Sequence, residues 1–279
     1  MAAAAMITRP IPSSGEAMPV IGLGTSQVFD VGEGAARQPL AEVLRLLLDA
    51  GGKIIDTSPM YGRAEAVAGD LVAETGARPG VFLATKVWTS GREAGIAQMR
   101  RSAELLKSPV LDLIQVHNLL DWRTQLATLR QMKEKGQVRY IGITHYTTGS
   151  LPELAGILQN EPGIDFVQCA YSLVTRAAET ALFPIAAARK VAVIVNRPFE
   201  DGDMFRRVRG GAVPEWAAEF DCTSWAQLFL KYVIAEPAVT CAIPATSNPA
   251  HMADDLKAGI GRLPDARQRQ QIRQLWDSL

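Results

Sequence analysis

Val191-Ala192-Val193-Ile194-Val195-Asn196-Arg197 opens with five apolar residues in succession and closes on two polar ones. A strand with one wet face alternates apolar and polar side chains, whereas an unbroken run suits a strand covered on both faces, as in a parallel sheet. Seven more β-rich runs bounded by turn residues are present: Val20–Thr25, Lys53–Thr57, Val81–Val87, Leu111–His117, Arg139–His145, Asp165–Tyr171 and Thr240–Thr246. Segments with helical periodicity lie between them. Leu40, Val43, Leu44, Leu47 and Leu48 form one stripe before Gly51, and Trp122, Leu126, Leu129 and Met132 form another before Gly136, so both read as amphipathic helices with a glycine stop. Thr223 stands where a cap would start a helix carrying Trp225, Leu228, Phe229, Tyr232 and Val233, which Pro237 closes.

Eight strand–helix units in 279 residues give about 35 residues per unit, enough for a parallel crossover. At roughly 150 residues per domain the length alone permits two modest domains or one barrel, but no linker interrupts the alternation. The expected fold class is therefore α/β: a (β/α)8 TIM barrel, residues 1–279 forming one domain. Met6–Met18, with Pro10, Pro12 and Ser13-Ser14-Gly15, predicts an N-terminal β-hairpin placed to plug the barrel floor. Ile272, Leu275, Trp276 and Leu279 predict an extra C-terminal helix within Pro264–Leu279.

The composition, 48% hydrophobic and 21% charged, excludes a largely disordered, collagen-like or coiled-coil chain. Twenty-nine Lys and Arg balance 29 Asp and Glu, so no overall positive field gathers nucleic acid. No run of about 18 apolar residues argues for a membrane span, and Met1–Met6 lacks the pattern of an export signal; a cytoplasmic protein is expected. Cys169, Cys222 and Cys241 have no metal-like spacing and fit a reduced compartment. Gly22-Leu23-Gly24-Thr25-Ser26-Gln27 resembles the start of a dinucleotide-binding glycine fingerprint, but Gln27 stands where the third glycine belongs and no acidic partner follows at the end of a second strand. A Rossmann domain is rejected, and the glycines are read as easing close packing at the first barrel strand.

Four polar residues carry the sharper signal. Asp56 ends the second run, Tyr61 follows it, and Lys86 and His117 close the third and fourth. In a barrel the C-terminal strand ends form one mouth, so these groups converge there. Each alone has an ordinary explanation as turn acceptor, half-buried aromatic, snorkelling chain or satisfied core histidine; four together do not.

At these positions the sequence resembles the aldo-keto reductase family. The likeness runs in order through Gly22-Leu23-Gly24-Thr25, Ile55-Asp56-Thr57-Ser58-Pro59-Met60-Tyr61-Gly62, Ala84-Thr85-Lys86-Val87, Leu111–His117, Gly142-Ile143-Thr144, Gln168-Cys169-Ala170-Tyr171-Ser172 and Ile243-Pro244. The resemblance implies a catalytic tetrad of Asp56, Tyr61, Lys86 and His117 and a reversible, nicotinamide-dependent reduction of an aldehyde or ketone. The residue chemistry agrees. A carbonyl receiving hydride develops negative charge on oxygen and needs a proton donor and hydrogen bonds there. Tyr61 can donate, Lys86 favours its phenolate, Asp56 fixes Lys86, and His117 can hold the oxygen and assist proton transfer.

The resemblance also implies cofactor contacts from Gly24 and Thr25, from Thr144, His145 and Gln168, from Asn196, Arg197 and Pro198, and from Thr246, Ser247, His251, Asp254 and Asp255. His145 stands where asparagine is common and reads equally as a structural residue. Asn196 replaces a frequent stacking aromatic, for which Phe199 or Tyr171 could substitute. Ala245 and His251 replace a frequent lysine and arginine, so NADP(H) is the family-based preference and NAD(H) stays open. Ser247 or Asn248 reads equally as a helix cap. Arg206, Arg207 and Arg209 read either as replacement cations or as solvated surface. Trp88, Asn118, Tyr146 and Phe199 lie just beyond strand ends and are expected to line the pocket for a small, apolar carbonyl substrate. Arg176 and Glu179 are spaced to pair across a helical turn. Two other readings are a cofactor-binding barrel with a redox-sensing or regulatory role and a metal-dependent barrel hydrolase. His117, His145 and His251 contain no close pair, which weighs against a metal site.

Overall fold

A computed structural model describes residues 5–279, so the reading of Met1–Met6 falls mostly outside the described residues. The chain begins with an antiparallel hairpin, β1 (Thr8–Pro10) and β2 (Ala17–Pro19). Eight parallel strands follow in sequence order: β3 (Leu23–Gly24), β4 (Ile54–Asp56), β5 (Phe82–Val87), β6 (Leu111–His117), β7 (Val138–Thr144), β8 (Phe166–Ala170), β9 (Ala192–Asn196) and β10 (Val239–Ala242). The helices are α1 (Gln38–Asp49), α2 (Ala64–Thr75), α3 (Arg92–Leu105), α4 (Trp122–Glu134), α5 (Leu151–Asn160), α6 (Ala178–Ala181), α7 (Phe183–Ala188), α8 (Asp203–Arg207), α9 (Trp225–Ile234), α10 (Pro249–Ala258) and α11 (Ala266–Ser278).

The first and last barrel strands meet. Parallel bridges join Ile21 to Ala242 and Gly24 to Ala245, and the Gly22 and Gly24 amides donate to the Ala242 and Pro244 carbonyls. This seam explains the two glycines. A Cβ on Gly24 would stand 2.8 Å from the Ile243 carbonyl oxygen, and one on Gly22 would overlap the Ile54 side chain. The expected (β/α)8 barrel is the observed architecture, although the first strand is shorter than its apolar run because Val20–Gly22 pair only through isolated bonds.

Alternation along the strands separates two cores. Ile55, Leu83, Ile114, Val116, Ile141, Ile143, Val167, Val193 and Val195 pack outward under the helices. Phe82, Ala84, Leu113, Tyr140, Phe166, Ala192, Ile194 and Cys241 fill the lower interior, where Ile11 and Met18 of the hairpin join them. The hairpin thus seals the floor. Arg9 reinforces that end by donating to the carbonyls of Ile234, Glu236 and Val239. Continuing inward and upward, the same strands present Asp56, Lys86, His117, Thr144, Gln168 and Asn196, a polar layer above an apolar plug.

Two local expectations need correction. Ser224, not Thr223, caps α9, its Oγ accepting from the Gln227 amide, because Thr223 instead binds the Gln227 side chain. Arg176 pairs with Asp277 at 2.5 Å and not with Glu179. Glu179 lies in a partly buried network with Arg269, Arg273, Tyr171 and Tyr232 that fastens α11 to the barrel. Asp265 and Gln268 close a reciprocal capping box at the start of that helix. Among the described residues no helix is long and apolar enough to cross a membrane, and no cluster of three His, Cys, Asp or Glu side chains could hold a metal ion.

Candidate active site

Strand ends β4, β5 and β6 bring the four polar groups together. Lys86 Nζ donates to Asp56 Oδ1 at 2.6 Å and to the Thr57 carbonyl at 2.7 Å. Both side chains are almost wholly buried, so the pair is shielded from screening by water. Asp56 Oδ2 accepts from Gln168 Nε2 at 2.9 Å and from Gln115 Nε2 at 3.4 Å. Gln168 Oε1 in turn accepts from Thr144 Oγ1 and Asn196 Nδ2, at 3.1 and 3.3 Å. The carboxylate therefore connects the lysine to the polar layer of β7, β8 and β9. Burial pulls the Lys86 ammonium down, but Asp56 and then Tyr61 outweigh it and hold it above the usual lysine range.

Tyr61 sits in the turn after β4, its amide donating to the Ser58 carbonyl at 3.0 Å. Lys86 Nζ lies 5.2 Å from the centre of its ring. The His117 ring stands edge-on to that of Tyr61, 5.9 Å away between centres and at 89°. Burial first, then the neighbouring Lys86 and His145, press the His117 imidazole down to about 3, so it is neutral at physiological pH. Its Nδ1 lies 2.9 Å from Ser58 Oγ. On α2, Glu65 accepts from Thr85 Oγ1 at 2.6 Å, and burial raises its carboxyl above the ordinary range against that hydrogen bond.

Asp56, Tyr61 and His117 open on a cavity of about 1030 Å³ that runs to the start of α10. Gly24, Thr25, Asn118, Thr144, Tyr146, Gln168, Asn196, Arg197, Pro198, Phe199, Thr246, His251, Asp254 and Asp255 also line it. Lys86 lies behind the wall. Trp88, His145 and Ser247 are outside the lining: Trp88 is exposed with its ring 6.5 Å from that of His117, and His145 Nδ1 turns back to accept from the Thr147 amide. Tyr171, entertained as an apolar contact, is fully buried with its hydroxyl on Glu179, so Phe199 alone of that pair reaches the cavity. Arg206 and Arg207 face away, the first paired with Asp203 and the second stacked over Trp276. Asn248, not Ser247, caps α10.

Phe205, Ser224 and Trp225 line the cavity although no sequence reading assigned them to it, and Ser26 and Gln27, noted only within the rejected glycine fingerprint, line it too. The missed residues on α8 and α9 come from the long excursion after β9, whose path over the mouth is set by tertiary packing of Phe205 on Phe199 and Phe229. At the α10 end Ser224 Oγ and Gln227 Nε2 each donate to Asp254 at 2.6 Å. The Asp255 side chain has no hydrogen-bond or ion-pair partner among the described residues. Burial, and secondarily Asp254, raise its carboxyl to about 8.

A closed parallel barrel with a polar tetrad at its C-terminal mouth and a long cleft leading away from it defines a barrel enzyme. The chain belongs to the aldo/keto reductase family, whose model matches residues 20–277. It is 30% identical over 261 residues to the methylglyoxal reductase YeaE of Escherichia coli, covering 88% of each chain. It is 26% identical over 262 residues to the 9,11-endoperoxide prostaglandin H2 reductase of Trypanosoma cruzi, with 91% of this chain and 86% of that one covered. An aldo/keto reductase from Klebsiella pneumoniae solved with NADP and acetate superposes with a TM-score of 0.78 at 26% identity, over 94% and 93% of the two chains. A second from that organism, solved with NADPH, gives 0.80 at 25%, over 97% and 96%.

Proposed function

We propose that residues 1–279 form one catalytic domain that reduces an aldehyde or ketone to an alcohol at the expense of a nicotinamide dinucleotide, with Tyr61 as proton donor. The observation that carries this reading is the buried Lys86 ammonium, fixed by Asp56 and Thr57, beside the Tyr61 ring and across from a neutral His117.

The cavity suits such a cofactor. Asn118 Oδ1, Asn196 Oδ1 and Arg197 Nε are buried on its wall without a hydrogen-bond partner among the described residues, and a buried polar atom left unpaired is costly unless a ligand completes it. Thr144, Gln168 and Asn196 would hold the nicotinamide amide, and Thr246 and His251 the adenosine end. NADP(H) is favoured because the two similar reductases hold it; NAD(H) is the alternative because no Lys or Arg lines the wall from Pro244 to Asp255. When bound, the nicotinamide supplies the hydride that the carbonyl carbon accepts.

The remaining chemistry falls to the chain. His117, neutral, offers a hydrogen bond to the carbonyl oxygen as negative charge grows there. Tyr61 releases its hydroxyl proton to that oxygen, completing the alcohol, and Lys86 stabilises the phenolate left behind. Asp56 keeps the lysine charged and in place. In the oxidative direction the phenolate takes the proton back. Met60, Trp88, Leu120, Tyr146 and Val174 are exposed large apolar side chains contributed one each by the loops after β4, β5, β6, β7 and β8, and this crescent favours apolar carbonyl compounds over charged ones.

Tyr61→Phe tests the reading. Turnover of NADPH with an aldehyde panel should fall about 10²–10⁴-fold, while fluorescence titration shows NADPH still bound. Near-wild-type turnover would exclude Tyr61 as the donor, and wild-type binding without turnover across the panel would favour the regulatory barrel.

A further inference from the structure

We propose that Ser58 is a positioning residue: its hydroxyl donates to His117 Nδ1 and thereby fixes the ring proton on Nε2, the nitrogen left to face the carbonyl oxygen. The inference rests on the reading that His117 holds that oxygen, and it concerns how the ring is prepared to do so.

The argument is a count of donors and acceptors. Ser58 is fully buried, and its Oγ has two neighbours within hydrogen-bond distance: His117 Nδ1 at 2.9 Å and the Met60 amide nitrogen at 3.3 Å. An amide N–H only donates, so it accounts for one lone pair of Oγ and cannot receive the hydroxyl proton. The ring nitrogen is the one acceptor in reach among the described residues. Were Nδ1 to carry the proton and donate to Oγ, the Ser58 O–H would be left unpaired in a dry site, which disfavours that arrangement by roughly tenfold or more.

A neutral imidazole has one donor and one acceptor nitrogen, and the bond made by the first decides what the second can do. Burial and the nearby Lys86 exclude the doubly protonated ring. With Nδ1 accepting from Ser58, Nε2 must be the donor, and no hydrogen bond among the described residues uses it. His117 lines the cavity beside Tyr61. The other tautomer would turn a lone pair toward the oxygen on which negative charge develops. Ser58 also accepts the Tyr61 amide through its carbonyl, so one residue sets both the turn that presents the phenol and the protonation of the ring opposite it.

Long-range proton–nitrogen correlation spectra of the full chain labelled with ¹⁵N-histidine read the tautomer directly, the His117 signals being assigned by their loss in His117→Asn. The wild type should show a protonated Nε2 and a bare Nδ1. Ser58→Ala should shift the tautomer ratio about tenfold toward protonated Nδ1 and lower kcat by a similar factor, with NADPH affinity by fluorescence titration unchanged. Ser58→Thr, which keeps the hydroxyl, should restore both. A wild-type spectrum with the proton on Nδ1, or a Ser58→Ala spectrum identical to wild type, overturns the proposal. The wild-type spectrum needs neither a variant nor turnover, so failure to reduce any carbonyl would refute the enzymatic reading while leaving the tautomer to be decided on its own.

Discussion

The Lys86 ammonium stands 5.2 Å from the centre of the Tyr61 ring, with Lys86 fully buried and Tyr61 lining the cavity wall. From there the buried charge can stabilise the negative charge that the Tyr61 oxygen gains as it gives up its proton to the substrate. Lys86→Met keeps much of the stem and removes the charge. Turnover should fall about 100-fold or more, while fluorescence titration shows NADPH still bound. Near-wild-type turnover would disprove the coupling between the two residues.

His117 supplies a prediction whose sign follows from linkage. Its folded-state pKa is depressed to about 3 from an ordinary 6.5, so between those values the unfolded chain binds a proton that the folded chain does not. The stability associated with this group is fully present above pH 6.5 and is lost as pH falls toward 3. His117→Asn should therefore flatten the decline of the urea midpoint across that window. Kinetically, His117→Asn should remove no limb of the kcat/KM profile between pH 5 and 8, because the ring carries no second proton to lose there. An unchanged acid slope in His117→Asn would show that the ring is not held neutral.

The apolar rim makes a claim about substrates. Tyr146 and Trp88 are its largest exposed members, and Trp88 approaches the His117 ring. A double replacement by Ser should raise KM for an aromatic or long aliphatic aldehyde about tenfold, each lost apolar contact being worth roughly 1 kcal/mol or less, and leave KM for a two- or three-carbon aldehyde near its wild-type value. Equal effects on both would place the substrate elsewhere.

What was legible in the sequence follows from which forces act locally. The strand runs and the positions of Asp56, Lys86 and His117 were readable because a strand covered on both faces must be apolar until it reaches the mouth, where the polar residues stand out. The alternation Phe82-Ala84-Lys86 and Leu113-Gln115-His117 also foretells the layering, since every second side chain enters the cylinder. Gln115 and Ser58 escaped notice because their importance lies in a partner 59 residues away in sequence. Trp225 and Phe205 escaped for the same reason: only the packing of the excursion after β9 brings them over the cleft. The Arg176–Glu179 spacing suggested a local pair, but Glu179 gains more from two arginines and two phenols supplied by other elements.

Asp255 offers the last test, at the opposite end of the cleft from the chemistry. Its pKa is raised to about 8 by burial and by Asp254, so between pH 4 and 8 the folded chain keeps a proton that the unfolded chain has released. Stability therefore declines as pH rises through that window and levels off above it. Asp255→Asn removes the ionisation, and the variant should be more stable than wild type by on the order of 1–3 kcal/mol at pH 8 and nearly equal to it at pH 4, as read from urea midpoints. Ionised Asp255 also lines the wall with Asp254, where a 2′-phosphate at that end of the cleft would meet two carboxylates. NADPH affinity should therefore weaken relative to NADH as pH passes 8 in the wild type but not in the variant. A constant affinity ratio would remove Asp255 from the adenosine end, and a stability decline as steep in the variant as in the wild type would assign the pH dependence to another group.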